Sequence, residues 1–89
     1  MLSACRPNPF SARTQISYQF PHDGPVNLQV FDASGRSVKT LQNGLQRAGK
    51  YMVTWDGRDA SGRNVANGVY FYRFDAPGFR DVKKAVVMK

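Results

Sequence analysis

In Thr14-Gln15-Ile16-Ser17-Tyr18-Gln19-Phe20 the apolar side chains fall on every second residue. A period of two puts Ile16, Tyr18 and Phe20 on one face of an extended strand, whereas a helix would scatter them around its circumference. The same period returns at Val26, Leu28 and Val30, and again at Tyr51, Val53 and Trp55. Residues 36–42 read as a further strand carrying Val38 and Leu41, with residues 43–49 as a loop. Val69-Tyr70-Phe71-Tyr72-Arg73-Phe74 is apolar on both faces, the pattern of a strand inside a sheet. Residues 81–89 form a closing strand, β-branched and studded with lysine. Pro-His-Asp-Gly-Pro at 21–25, Asp-Ala-Ser-Gly at 32–35 and Ala-Pro-Gly at 76–78 supply the turns between them. Six to seven strands at this spacing, with no helical pattern, predict an all-β, immunoglobulin-like antiparallel β-sandwich.

Eighty-nine residues suffice for one core, and 12% aromatic content is enough to fill it. Residues 1–5 read as a flexible leader and residues 6–89 as the sandwich. Leu2-Ser3-Ala4-Cys5 spells a bacterial lipoprotein cleavage box, but only Met1 stands before it, so Cys5 is read as a linker cysteine. A single cysteine makes no internal disulfide. No apolar run approaches the roughly 18 residues of a spanning helix. The formal charge is +7, yet among thirteen cations only Lys83 and Lys84 are adjacent. Scattered cations without a recognition helix describe a solvated basic surface rather than a nucleic-acid site, with an anionic glycan or membrane surface as the secondary reading.

Catalytic chemistry finds little to work with. The chain has no Glu, its one histidine (His22) lies in the Pro-His-Asp-Gly turn, and Cys5 has no histidine near it in sequence. Asp23, Asp32, Asp56 and Asp59 sit where turns ordinarily place Asp. Asp56-Gly57-Arg58-Asp59-Ala60-Ser61-Gly62 imitates a calcium loop, but Arg58 puts a cation at a ligand position and no bidentate Glu follows. The chain is therefore read as non-enzymatic, without metal or cofactor. Tyr51, Trp55, Tyr70, Tyr72 and Phe74 have the makings of a stacking platform, but a sandwich of this size needs them as core.

One segment occurs twice. Asp32-Ala-Ser-Gly-Arg-Ser-Val38 returns as Asp59-Ala-Ser-Gly-Arg-Asn-Val65. In each, Asp accepts backbone N–H groups at the first turn position and Gly provides positive φ at the fourth. Arg and Val should then open a return strand, one hairpin solution used in two places.

Several stretches taken in order go beyond fold class. They are Pro7-Asn8-Pro9-Phe10 before Thr14-Gln15-Ile16-Ser17-Tyr18; Val30-Phe31-Asp32 with Gly35-Arg36-Ser37-Val38; Trp55-Asp56-Gly57-Arg58-Asp59; Gly68-Val69-Tyr70-Phe71-Tyr72-Arg73; and Lys83-Lys84-Ala85-Val86-Val87-Met88-Lys89. Together they resemble the C-terminal sorting domain of the type IX (Por) secretion system of Bacteroidota, over residues 6–89. Residues 55–72 also resemble the immunoglobulin-like domain of flagellar hook-capping proteins.

The first resemblance implies a folded address label. Such a domain follows a secreted cargo through the periplasm and across the outer membrane to the surface or medium. It is commonly removed there by a sortase-like peptidase, and the cargo is attached to anionic lipopolysaccharide. By motif, the machinery would read Gly68, Val69, Tyr70, Lys83, Lys84, Val87 and Lys89. An edge strand flanked by lysines offers a means, strand addition with charge selectivity. The same strand serves equally to complete the sandwich, and the residues leave both readings open. The rival function is a structural interaction module, either hook-cap-like or a self-assembling surface fibre subunit with residues 1–10 as a donated arm.

Overall fold

The computed structural model describes residues 1–89. Its strands are β1 (Thr14–Phe20), β2 (Gly24–Asp32), β3 (Ser37–Gln46), β4 (Gly49–Trp55), β5 (Gly68–Ala76) and β6 (Phe79–Val87). β1 and β4 pair in one sheet, and the other runs in the order β3-β2-β5-β6, with every strand pair antiparallel. No helix forms, and the immunoglobulin-like sandwich read from the pattern is the architecture observed.

The period-two residues turn inward as their spacing requires. Ile16, Tyr18 and Phe20 pack with Val26, Leu28 and Val30 and with Tyr70, Tyr72 and Phe74 in one buried cluster. Tyr18 meets Phe74 across the sheets at 4.6 Å between ring centroids, and Trp55 meets Tyr70 edge-on at 5.5 Å. The aromatics considered for a stacking platform are thus core: Trp55, Tyr70, Tyr72 and Phe74 are buried and Tyr51 half-buried. β5 is the inner strand its two-sided apolar pattern predicts, flanked by β2 and β6.

Two strands do not cover a sheet of four, and the overhang explains a departure from the sequence reading. The expected flexible leader instead seats Leu2 and Cys5 in the core, each only 2% exposed. Residues 1–6 lie along the free edge of β1, where the N–H of Ser3 reaches the Ser17 carbonyl at 2.9 Å. Arg6 and Gln15 exchange both their backbone bonds, at 3.0 and 2.8 Å. The Tyr72 hydroxyl donates to the Ser3 carbonyl at 2.7 Å, which fixes the segment over the inner face of β5. Its buried residues show no period of two because it crosses between sheets instead of running within one. β3 also exceeds its expected bounds, taking in residues 43–46 that Asn43-Gly44 mark as loop. There the backbone ladder to β2, with Asn27 opposite Asn43 and Val26 opposite Gly44, overrides local turn preference.

The duplicated segment folds the same way twice. The Asp32 carboxylate accepts the N–H of Ser34 at 2.9 Å and of Arg36 at 3.0 Å, and Asp59 accepts those of Ser61 and Arg63 at the same two distances. Gly35 and Gly62 take φ of 90° and 85°, the left-handed region where a side chain is unfavourable. What differs is the context. The first turn joins β2 to β3, as expected of a hairpin. The second opens no return strand: it closes a small loop by an isolated Arg58–Asn64 bridge and is tied to β3 where the N–H of Ala60 reaches the Val38 carbonyl at 2.9 Å.

Candidate functional site

The residues singled out at 68–70 and 83–87 lie far apart in sequence and side by side in the fold. In the β5–β6 ladder Gly68 stands opposite Val87, Val69 opposite Val86, Tyr70 opposite Ala85, and Tyr72 opposite Lys83. Directly opposed residues of an antiparallel pair share a face. Tyr70 and Val87 therefore point into the core, at 7% and 1% exposure. Val69 and Lys84 lie on the outer face, and Lys89 is exposed beyond the strand, its N–H held by the Asn67 side chain at 3.1 Å. Lys83 takes the inward parity of Tyr72 yet is only half-buried, because β6 is the sheet's last strand. Of the seven candidates, only Val69, Lys83, Lys84 and Lys89 present a side chain to a partner. Tyr70 serves as core: burial first, then the nearby Asp32 charge, raises its phenol above the usual value, and its hydroxyl donates to the Ala66 carbonyl at 2.7 Å.

The edge of β6 is not uniformly open. The Asn8 side chain accepts the Val86 N–H at 2.8 Å and donates to the Lys84 carbonyl at 3.2 Å, as a neighbouring strand would. Phe10 continues this, its N–H bonding the Val86 carbonyl and its own carbonyl accepting the Met88 N–H, both at 2.9 Å. The Phe10 ring is buried edge-on against Trp55 at 5.4 Å. It also lies 3.4 Å from where a side chain at Gly57 would begin, so a bare, positive-φ residue there makes room for it. Along residues 84–88, strand addition would have to displace Asn8 and Phe10. On the remaining length the Val82 N–H is met by the Asp81 carboxylate at 2.8 Å. Inward-facing charges of this kind, here Asp81 and Lys83, protect free edges against pairing.

Sequence reasoning missed the part played by Asn8 and Phe10 at this edge, since nothing local in Pro-Asn-Pro-Phe signals a contact so distant in the chain. It also passed over Phe31, Phe71, Arg73 and Val82 on the outer face, where the two-sided apolar pattern of residues 69–74 was the available signal. Neither the Asp56–Gly62 loop nor any other part of the chain gathers three metal-ligating side chains. No helix is long and apolar enough to cross a membrane.

What the fold defines is a compact immunoglobulin-like module. Residues 10–77 match the model of the FlgD Ig-like domain, and the chain belongs to that family. The basal-body rod modification protein FlgD of Salmonella typhimurium is 42% identical over 55 residues, 62% of this chain and 23% of that protein, so the chain spans under a quarter of that relative's length. The match is to a FlgD-type immunoglobulin-like domain rather than to an enzyme family. Among solved structures, FlgD from Xanthomonas campestris, described in terms of hook capping, superposes with a TM-score of 0.65 and 28% identity, covering 96% of this chain and 66% of that one. Dimeric latent PorU from Porphyromonas gingivalis gives a TM-score of 0.74 at 24% identity over 96% of this chain and 9% of its own, a likeness of fold.

Proposed function

We propose that the module is a folded C-terminal sorting label, non-enzymatic, that directs an attached cargo to the cell surface or medium by type IX secretion. The observation that carries this reading is the ladder itself. It pairs Gly68-Val69-Tyr70 with Ala85-Val86-Val87, so the two motifs whose order resembles a sorting domain are direct neighbours in one strand pair. Secretion machinery would read Val69 and Lys84 on the outer face, with Lys83 at the sheet's edge and Lys89 beyond the strand, while Gly68, Tyr70 and Val87 hold the strand pair in register. A sortase-like peptidase and anionic lipopolysaccharide are the further partners this reading entails. The second reading, a hook-cap-like structural module, is favoured by the family match over residues 10–77.

A secretion assay separates them. Residues 1–89 are fused behind a signal peptide and a fluorescent reporter in a bacterium with type IX secretion, beside a version lacking residues 83–89 and a full-length Lys83→Ala, Lys84→Ala, Lys89→Ala version. Reporter outside the cell with the intact module, and retained with the folded lysine variant, supports the label. Retention of all three, with the intact module folded, favours the structural module.

A further inference from the structure

The two outer faces of the sandwich differ in kind. The β1–β4 sheet shows water Gln15, Gln19, Lys50, Met52 and Thr54, a largely polar surface. The four-stranded sheet instead carries Phe31, Val69, Phe71, Val82 and Val86 on its outer face, with Val69 at 39% and Val82 at 49% exposure. Phe31 and Phe71 stand directly opposite one another across β2 and β5. Beside them opens a cleft of about 290 Å³ walled by Phe31, Phe71, Val82 and Arg73, with the Asp32–Gly35 turn as its lip. Contiguous apolar surface of this kind, bordered by charge, marks interaction sites.

The border is built for one chemistry. Asp75 accepts the Nε of Arg73 at 2.9 Å with one carboxylate oxygen and the Nε of Arg80 with the other. The Arg73 guanidinium also lies over the Phe31 ring, 4.8 Å from its centroid. Stacking and the Nε bond hold this guanidinium in place, while its terminal amino groups, like those of Arg80, make no hydrogen bond within the protein. A held guanidinium with its fork free is prepared for a carboxylate. Lys84, opposite Phe71, adds a third cation to Arg73 and Arg80. The Asp32 carboxylate at the lip also carries negative charge, its oxygen held within its own turn by Ser34 and Arg36, so around the cleft three cations stand against two carboxylates.

The geometry points to a docking surface for an extended acidic segment of a partner protein. A carboxylate engages the forks of Arg73 and Arg80 while a neighbouring aliphatic or aromatic side chain fills the cleft against Phe31 and Phe71. A second copy of this chain does not suit the site, since its formal charge is also +7. This surface goes beyond both functional readings and depends on neither.

The test is a titration of the ¹⁵N-labelled chain with a synthetic peptide of alternating Asp and Leu, beside versions with Asn for Asp and with Ser for Leu. The expected result is saturable shifts at the amides of Phe31, Phe71 and Val82 and the side-chain N–H of Arg73 and Arg80, lost with either control peptide. Arg73→Lys keeps the charge but removes the fork, and Val82→Asp places a like charge in the cleft. Each should weaken binding by about tenfold or more with an unchanged melting temperature, consistent with loss of a charge-assisted bidentate contact. Arg80→Gln, at a side chain 65% exposed, gives a variant whose loss of binding is not a folding defect. The proposal is overturned by no binding at millimolar peptide, by equal affinity for the Asn peptide, or by shifts confined to β3 or to residues 8–10. Equal affinity of the Arg73 and Val82 variants overturns it too. So does binding to phosphatidylglycerol vesicles with the same residue dependence while the peptide is ignored.

Discussion

The last strand is held in two different ways along its length. From Lys84 to Met88 its outer edge is closed by Asn8 and Phe10, whose hydrogen bonds stand in for a neighbouring strand. From Phe79 to Lys83 it has only β5 beside it, and the edge is protected by charge, with Asp81 bonding the Val82 N–H. An exposed edge is a template for unwanted pairing, and the two halves answer that in different currencies, covering and charge. Covering contributes to stability because it buries Phe10 and Val87. Charge contributes little and leaves side chains for a partner to read. The half closest to the expected recognition residues is thus also the half whose backbone is already occupied.

Val87→Asp attacks the covered half at its centre. The side chain is 1% exposed, and an unpaired carboxylate there should cost about 4 kcal/mol and leave the chain largely unfolded in a urea titration. Phe10→Ala removes the anchor, not the strand. A cavity beside Trp55 and Gly57 should cost about 3 kcal/mol, with hydrogen exchange speeding at Val86 and Met88. Unchanged exchange at those two amides would show that Phe10 is merely core and not the clasp of this edge. Asn8→Ala isolates the hydrogen bonds, with an expected loss of about 1 kcal/mol and faster exchange at Val86. Lys84→Ala with Lys89→Ala should change stability by less than about 0.5 kcal/mol while removing sorting. A large drop in melting temperature in that double variant would make the lysines structural and remove them from the recognition surface.

The smallest effect concerns the twin turns. The Ser34 hydroxyl and the Arg36 N–H hold the Asp32 carboxyl below its ordinary 3.8, and the Arg63 N–H does most to lower Asp59, against the opposing effect of desolvation. A depressed folded-state pKa means stability that is complete above pH 3.8 and is lost as pH falls through the lower folded values. Carboxyl-carbon NMR titration should place both groups below 3.8, and Asp59→Asn should abolish the Arg63 amide's pH response. Titration of Asp59 at 3.8 or above would contradict this account.

Strand identity was the most legible layer, because a period of two is a local property of the chain. Thr14–Phe20 is bounded as the alternation predicts, and the inner placement of β5 follows from apolar residues on both faces. The candidate site was legible only in part. Its motifs were visible, but which members face outward depended on register, and Tyr70 and Val87 turned out to be core. Residues 1–10 carried no period to read, since their role is to cross from the edge of β1 to the edge of β6. Likewise the sequence shows two copies of one turn, yet not that only the first joins strands.

The amino-acid sequence by itself determined the class of fold, the core residues carried by the alternating strands and the hydrogen-bonding of the two Asp-Ala-Ser-Gly turns, since each rests on spacing within a few residues. Only the tertiary structure decided how the edges are closed, which lysines remain available, and that Arg73, Arg80 and Asp75 meet beside an aromatic cleft. Those outcomes depend on strand order and register between distant segments, where one residue of slip would turn every side chain to the opposite face.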